Sequence, residues 1–323
     1  MPMTEQLARG GFSTLLEIEG DTVAGPWCAP LQMLAEQSYD NHASIHDDAT
    51  AQKLGFRGGT IEGPTHFSQF VPLGVSVWGE RFLESGCISA HYRNAVFEGE
   101  EVQALMTRPA PGSGHAEIWM QKRDGTEVLR GTLSLAGDTT PTALDRRLTT
   151  LAPTGPLVIL RDIRVGMRSK RQRVRMDFDQ NMGALYPFSL TQKLTKITQA
   201  SSWYSPREGA SSPSSSPWGR PIIPLEMISV LLNYTAKLDP FPVRGPVVGL
   251  FADQEIRLIK GPLFVGEDYE IEREVVSLSE SKRTESMWVR TSVHPPGSND
   301  VIATMLLNGA SLKESFVDPD KRL

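Results

Sequence analysis

The second half of this 323-residue chain repeats features of the first half. The segment 218–226, WGRPIIPLE, parallels 56–64, FRGGTIEGP, and each is followed by an apolar stretch that predicts a helix. Further on, LFVGE at 263–267 parallels VFEGE at 96–100. A repeat about one domain long indicates a duplicated fold and not a solenoid of short units. The length of the chain also suits two domains.

Both halves close with segments whose composition predicts antiparallel strands. Asp124-Gly125 stands between two β-rich segments, which is a strong signal for a hairpin. The predicted strands are 12–18, 87–92, 102–107, 115–122, 127–136, 268–276, 285–294 and 301–308, and the predicted helices are 31–39, 64–75 and 225–237. We therefore expect an α+β fold in which an antiparallel sheet surrounds a long helix in each half, with the two copies packed sheet to sheet.

The segment 137–155 is rich in Thr and Pro and shows no periodicity, so we interpret it as a linker. This places an N-terminal domain at 1–137, a linker at 138–157 and a C-terminal domain at 158–323. The loop of the second half that matches 40–46 contains no histidine. We therefore expect the N-terminal domain to carry the active-site loop and the C-terminal domain to carry a degenerate copy of it.

Composition and charge narrow the function classes. A net charge of -5 argues against general nucleic-acid binding, which normally requires a basic excess. The two cysteines form no CxxC or Cys/His cluster, so we expect no metal and reduced thiols in the cytoplasm. We find no signal peptide, no apolar run that could span a bilayer, and no nucleotide-binding, zinc-peptidase or α/β-hydrolase motif. A cytoplasmic protein without membrane or nucleic-acid partners is expected.

Ionisable side chains are concentrated in the stretch 39–70, which runs from a polar loop through a Gly-rich turn into an apolar helix. Pro64 suits the first turn of that helix. The backbone N–H groups at its start, near Gly63, would point with the positive end of the helix dipole at whatever precedes them. The candidate site residues of this stretch are Asp40, Asn41, His46, Glu62 and Gly63.

These residues resemble those of the MaoC-like (R)-specific enoyl-CoA hydratase/dehydratase family of double hotdog proteins. The marker of that family is D-x-N-P-x-H followed by a Gly-rich turn and an A-H-G or A-P-G helix start. Here NHASIH at 41–46 occupies the box and IEG at 61–63 occupies the helix start. His46 matches the histidine, and Asn41 stands in the aspartate position unless a one-residue bulge lets Asp40 serve. The resemblance covers nearly the whole chain and implies a double hotdog fold.

The resemblance implies a hydratase or dehydratase acting on an α,β-unsaturated or 3-hydroxy acyl thioester, with coenzyme A entering as part of the substrate and no other cofactor. By position, His46 would be the acid/base, the N–H of Gly63 the oxyanion donor, and Asn41 or Asp40 the second polar group. An amide cannot accept a proton as a carboxylate does, and an acid–base group typically contributes about 10²–10⁴-fold.

Two other functions stay open on the sequence alone. One is a hotdog acyl-CoA thioesterase in which Glu62 serves as base or nucleophile. The other is a non-catalytic acyl-binding or repurposed subunit that has lost the carboxylate. The quaternary state that we consider is a homodimer.

Two groups of residues in the second half are candidates for substrate binding. Arg171, Arg173 and Arg175 fall at period two, on one face of a strand, and could hold the phosphates of coenzyme A or simply form a charged outer face. Trp203 and Tyr204 lie in the loop that matches the histidine loop. They could line an acyl tunnel or pack in the core.

Overall fold

The structure, a computed structural model, describes residues 4–7, 10–39, 42–206, 214–318 and 320. Its strands are β1 Thr4–Leu7, β2 Leu15–Glu19, β3 Thr22–Ala24, β4 Ser38–Tyr39, β5 His42–Ala43, β6 Gly86–Tyr92, β7 Val102–Thr107, β8 His115–Lys122, β9 Glu127–Leu135, β10 Gln172–Arg175, β11 Gly249–Leu258, β12 Asp268–Glu280, β13 Thr284–His294 and β14 Ala303–Leu312. Its α-helices are α1 Asp48–Lys53, α2 Val71–Trp78, α3 Arg81–Ser85, α4 Ala143–Thr149, α5 Leu190–Leu194 and α6 Leu225–Asn233, with 3-10 helices at Gly63–Phe70, Ala236–Leu238 and Lys313–Ser315.

The sheets of the two halves are joined into one antiparallel sheet. Its strand order is β1-β2-β3-β7-β8-β9-β6-β11-β14-β13-β12-β10, and the halves meet where β6 pairs with β11. Strands β8 and β12 bury alternate side chains, so that one face of the sheet covers the core there, whereas β6 and β7 bury successive side chains. The α+β double hotdog is confirmed. The expected packing of sheet on sheet is replaced by pairing edge to edge, which leaves no exposed strand edge in the middle of the molecule.

A central helix lies inside the sheet in each half, as predicted, although the second ends at Asn233 and not at the predicted residue 237. The first central helix runs over 63–78, beginning as the 3-10 helix and continuing as α2, and the second is α6. The two helices pack against each other, and Phe67, Phe70 and Met227 are fully buried between them and the sheet. These apolar helices are stable because the sheet covers them on the sides that do not face the other helix.

The repeat seen in the sequence is a repeat in the structure. Thr60 bridges to Phe97 before the first central helix, and Ile222 bridges to Phe264 before the second. The short strand in front of each helix is therefore held by the same Gly-Glu turn region in both halves.

The segment expected to be a linker contains the helix α4. Thr142 and Asp145 form a capping box at its start, and Leu144 is buried beside Trp288 and Leu306. Arg147 Nε lies 2.6 Å from Oδ1 of Asp253 on β11, so the helix is fastened over the junction of the two halves. A helix this short offers little periodicity to read. The domain boundaries at 137 and 158 stay a prediction.

The short helix predicted at 31–39 is wrong. The chain there is extended, forms a turn and ends in β4. The backbone N–H of Gln32 donates to Glu98 Oε1 and that of Met33 donates to Glu62 Oε1, each at 3.0 Å. Because side-chain carboxylates satisfy these donors, the segment does not need helical hydrogen bonds. None of the helices in the described part of the chain is long and apolar enough to cross a membrane.

Candidate active site

A cavity of about 550 Å³ lies between the two central helices and is lined by both halves of the chain. This volume falls within the range of small-molecule sites, roughly 300–1,000 Å³. Most of the wall is apolar, with side chains such as Leu34, Ile45, Phe251 and Val230. The ionisable groups in the wall include His46, Glu62, His66, Lys193 and Glu226. The cavity therefore combines an apolar wall with a compact set of titratable groups.

His46 lies on the loop after β5 and reaches the cavity with one ring nitrogen already engaged. Its Nδ1 is 2.7 Å from the carbonyl oxygen of Thr60, which can only accept, so Nδ1 carries the hydrogen. Nε2 of the neutral ring then holds a free lone pair. Burial lowers the pKa of His46, although Glu62 and the bond to Thr60 oppose this effect. His46 is therefore a neutral imidazole at pH 7 and suited to accept a proton.

Glu62 is buried at the start of the first central helix, and both of its oxygens are occupied. Oε1 accepts the Met33 N–H at 3.0 Å, and Oε2 accepts the Thr65 hydroxyl at 3.1 Å. Burial alone would raise the pKa of Glu62, but the charge of Lys193 and backbone donors such as the Met33 N–H outweigh it, and the pKa lies below its ordinary value. Glu62 is therefore an ionised group, and each of its oxygens accepts a hydrogen bond from the protein.

Gly63 lines the cavity at the first position of the same helix. A Cβ atom there would lie 2.7 Å from Cζ of Tyr92, so a larger residue would require the tyrosine ring to move. The Tyr92 hydroxyl is held at 3.0 Å by Gln254 Oε1 from the other half. The absence of a side chain at Gly63 brings the start of the helix, with its positive dipole end, close to the cavity.

Glu226 lies in the first turn of α6 and was not among the predicted site residues. It is 2% exposed, and within the described residues neither carboxyl oxygen has a hydrogen-bond partner. Lys193 Nζ is 3.7 Å from Oε1. Burial raises the pKa of Glu226 to about 7, with Glu62 adding to the rise and with Lys193 and the Ser68 hydroxyl opposing it. Glu226 is therefore a carboxyl group that exchanges its proton near neutral pH and faces the cavity without a well-formed hydrogen bond.

Lys193 comes from α5, a short helix that Ser189 and Gln192 cap reciprocally. Its side chain is buried, and Nζ donates to Thr65 Oγ1 at 2.8 Å. Lys193 therefore joins the second half to the first central helix, as Ser68 and Thr198 do with hydroxyls 2.6 Å apart.

His66 is fully enclosed beside this group. Burial lowers its pKa to about 4, and its Nδ1 has no hydrogen-bond partner in the described residues. The ring is neutral and adds no charge to the cluster. Within the same residues, no three His, Cys, Asp or Glu side chains come together as a metal site.

The predicted residues Asp40 and Asn41 lie outside the described residues. The arginines predicted to bind phosphate are on or next to β10, and none of them lines the cavity. Arg173 pairs with Asp268 at 2.5 Å, Arg175 with Asp177 at 2.7 Å, and Arg171 with Glu270 at 3.4 Å. These carboxylates already occupy the guanidinium groups, which favours the interpretation of a charged outer face.

Trp203 and Tyr204 are core residues, and neither lines the cavity. The N–H of Ile222 bonds to the Trp203 carbonyl just as the N–H of Thr60 bonds to the Ile45 carbonyl. Tyr204 therefore occupies the position that His46 holds in the first half. Its ring packs edge-on against Phe12, and Trp203 packs edge-on against Trp218. The second copy of the loop is filled with aromatic packing.

A comparison with protein-family models gives no match, and neither does a comparison with curated proteins. Among solved structures, the chain is similar to a MaoC-like dehydratase, with 14% identity, a TM-score of 0.46, and 88% of this chain and 95% of that chain covered. It is similar to the dehydratase domain of PpsC from Mycobacterium tuberculosis in complex with C12:1-CoA, with 11% identity, a TM-score of 0.45 and coverage of 90% and 94%. It is also similar to a putative oleoyl thioesterase from Lactobacillus plantarum, with 9% identity, a TM-score of 0.41 and coverage of 92% and 97%. Because the identities are this low, the activity of this chain is inferred from its own residues.

Proposed function

We propose that the protein is a hydro-lyase that adds water to, or removes it from, the α,β-bond of an acyl thioester. The observation that supports this most is the pairing of two unlike proton carriers on one cavity. His46 presents a free lone pair on Nε2, and Glu226 presents a carboxyl group without internal hydrogen bonds. Water elimination needs a base and an acid of this kind, each with a pKa near the working pH.

In dehydration, Nε2 of His46 takes the proton from Cα of a 3-hydroxyacyl thioester, and the electron pair of that C–H bond forms the double bond. The Cβ–O bond breaks, and the hydroxyl leaves as water with the proton of Glu226. The imidazolium of His46 and the carboxylate of Glu226 then return to their starting states by passing one proton between them through water. Hydration is the reverse of these steps.

The thioester carbonyl gains negative charge while the α-proton is removed. The start of the first central helix is the part of the wall suited to stabilise this charge, through the N–H of Gly63 and the helix dipole, because Pro64 has no N–H and the Thr65 N–H bonds to the Glu62 carbonyl. The acyl chain would lie along the apolar wall near Leu34 and Phe251.

Glu62 is poorly suited to be the base or nucleophile of a thioesterase. Both of its oxygens accept hydrogen bonds from the protein, and a nucleophilic oxygen would have to leave its donor, Met33 N–H or Thr65 O–H. Loss of such a bond to a charged group costs about 1.5–3 kcal/mol. Glu226 carries no such cost.

The test is to incubate the protein with crotonyl-CoA and, separately, with a saturated acyl-CoA. The expected result is loss of the enoyl absorbance without release of free thiol. Thiol release would indicate a thioesterase, and binding of both esters without any turnover would indicate an acyl-binding protein.

The matched variants are Glu226→Gln, Asp40→Ala and Asn41→Asp. Glu226→Gln should remove most hydration, whereas Asp40→Ala should leave it nearly unchanged because Glu226 supplies the carboxyl group. If Asp40→Ala abolishes turnover and Glu226→Gln does not, the carboxylate belongs to the loop and the assignment of Glu226 is wrong. Increased hydration in Asn41→Asp would show that the loop position faces the substrate.

A further inference from the structure

The charges at the centre of the cavity do not balance if every group takes its ordinary state. Glu62, Glu226 and Lys193 are each less than a tenth exposed, at 7%, 2% and 4%. Two carboxylates and one ammonium would leave a buried excess negative charge. Such a charge is costly, and buried groups of this kind change protonation instead. The favoured state has one ammonium, one carboxylate and one carboxylic acid.

The hydrogen-bond donors decide which carboxyl group keeps the proton. Glu62 accepts from Met33 N–H and from the Thr65 hydroxyl, and such donors favour the ionised form. Among the described residues, Glu226 accepts no hydrogen bond of the geometry that Glu62 enjoys, and Ser68 and Lys193 lower its pKa only in part. The proton therefore belongs to Glu226.

The Thr65 hydroxyl links Lys193 to Glu62 by accepting a hydrogen bond from the first and donating one to the second. Lys193 Nζ donates to Thr65 Oγ1 at 2.8 Å, so the hydroxyl must use its single hydrogen elsewhere, and it donates that hydrogen to Glu62 Oε2 at 3.1 Å. The ammonium thus polarises the hydroxyl that stabilises the Glu62 carboxylate. The distance from Lys193 Nζ to Glu226 Oε1 is 3.7 Å, which is too long for a hydrogen bond.

We propose that Lys193, acting through Thr65, is a positioning residue that keeps Glu62 ionised and thereby leaves the catalytic proton on Glu226. The catalytic part of this statement rests on the proposed hydro-lyase function. The inference goes beyond that function because it assigns roles to two residues that need not touch the substrate.

The other titratable groups near the cluster do not supply this charge. His46 and His66, on the loop after β5 and on the first central helix, have pKa values lowered by burial and are neutral. Tyr186 and Tyr204 have pKa values raised by burial and keep their protons. Among these groups, Lys193 is therefore the one that supplies a positive charge to the cluster.

The test is infrared spectroscopy of the protein without substrate, following the carboxylic acid band as pH is varied. In wild type, a band that Glu226→Gln removes and Glu62→Gln retains should titrate near pH 7. Lys193→Met should raise the pKa of Glu62 by about 1–3 pH units, the usual effect of removing an opposite charge at this range, so part of the acid band should then be removed by Glu62→Gln. Lys193→Arg should return the band to Glu226 alone.

Thr65→Val and Thr65→Ser provide a second, milder pair of variants. Valine keeps the shape and removes the hydroxyl that stabilises the Glu62 carboxylate, so part of the proton should move to Glu62 and part of the acid band should become sensitive to Glu62→Gln, whereas serine should keep the band on Glu226. An acid band that stays entirely on Glu226 in folded Lys193→Met and Thr65→Val protein would overturn the proposal. So would a wild-type acid band that disappears in Glu62→Gln.

The experiment separates this inference from the proposed function. Hydration rates measured on the same proteins show whether the proton is used. An acid band that moves to Glu62 in Lys193→Met, in protein that acts on no thioester, would remove the hydro-lyase function alone. Normal hydration by Lys193→Met with an acid band that stays on Glu226 would remove the role of Lys193 alone.

Discussion

The starts of the two central helices occupy equivalent places in the two halves and hold carboxyl groups of opposite character. Glu62 is the residue before the first helix, and Glu226 lies two positions after the equivalent residue of the second, Pro224. Both are buried, yet the pKa of Glu62 is lowered and that of Glu226 is raised to about 7. Burial is common to both, so the difference comes from the charge of Lys193 and the hydrogen-bond donors that favour ionised Glu62, and from the negative charge of Glu62 that opposes ionisation of Glu226.

In the proposed reaction, this difference gives the two halves different roles. The first half supplies a neutral histidine, an engaged carboxylate and the helix start at Gly63, and the second half supplies the free carboxyl group and Lys193. A site with one base and one acid needs carboxyl groups that behave differently, which two identical helix starts would not provide.

The largest expected effect is on turnover. Glu226→Gln should lower kcat/KM for hydration of crotonyl-CoA by about 10²–10⁴, and His46→Ala should do the same. Because the two residues act as one acid–base pair, the double variant should lose little more than the worse single variant. Losses that multiply in the double variant would show that the residues act in separate steps.

The pH dependence of turnover should show both members of the pair. His46 must be neutral and Glu226 protonated, so kcat/KM should rise through the lowered pKa of His46 and fall above the pKa of Glu226, about 7. Each limb should change roughly tenfold per pH unit. In each reaction direction the starting enzyme carries one proton on the pair formed by His46 and Glu226. The pH profile should therefore be the same for hydration and for dehydration. A profile that keeps rising above pH 8 would assign the acid role to another group.

Stability should depend on pH through Glu226. Its pKa in the folded protein, about 7, is above the ordinary 4.5, so its contribution is fully present below pH 4.5 and is lost as pH rises through 7. The loss should be on the order of 3 kcal/mol. Urea unfolding of wild type and Glu226→Gln between pH 4.5 and 8 measures it as a difference between the two curves. Parallel curves would mean that Glu226 does not titrate in this range.

The smallest expected effect is on stability, and it is measured by making the same substitution, Glu to Gln, at each of the two carboxyl groups. Glu62→Gln should destabilise the protein by about 1–3 kcal/mol, because the amide cannot accept from both Met33 N–H and Thr65 O–H. Glu226→Gln at pH 5, where the native group is protonated, is the control and should change stability little. Equal effects of the two substitutions would contradict the different roles of the two helix starts.

Much of the fold is visible in the sequence because it is encoded locally. The Asp124-Gly125 turn, the apolar helices and the repeated Gly-Glu turns each identify their element within about ten residues. The helix predicted at 31–39 failed for a long-range reason, since Glu62 and Glu98 take up its backbone donors. The edge pairing of β6 with β11 is long-range too.

The candidate site likewise contains residues that the local sequence predicts and residues that only long-range packing brings in. His46, Glu62 and Gly63 follow one another along the chain and were predicted, and all three line the cavity. Glu226 had one available signal, the single charged side chain within the mostly apolar LEMISVLLN. Lys193 had none, because LTQKL resembles any short surface helix until the second half packs on the first.

The aromatic packing of Tyr204 against Phe12 has a consequence for binding stoichiometry. A duplicated chain with two intact loops would offer two equivalent pockets, but the place of His46 in the second half holds a buried ring. Each chain should therefore take up a single equivalent of acyl thioester. Titration calorimetry should saturate at one molecule per chain whatever the number of chains in the assembly.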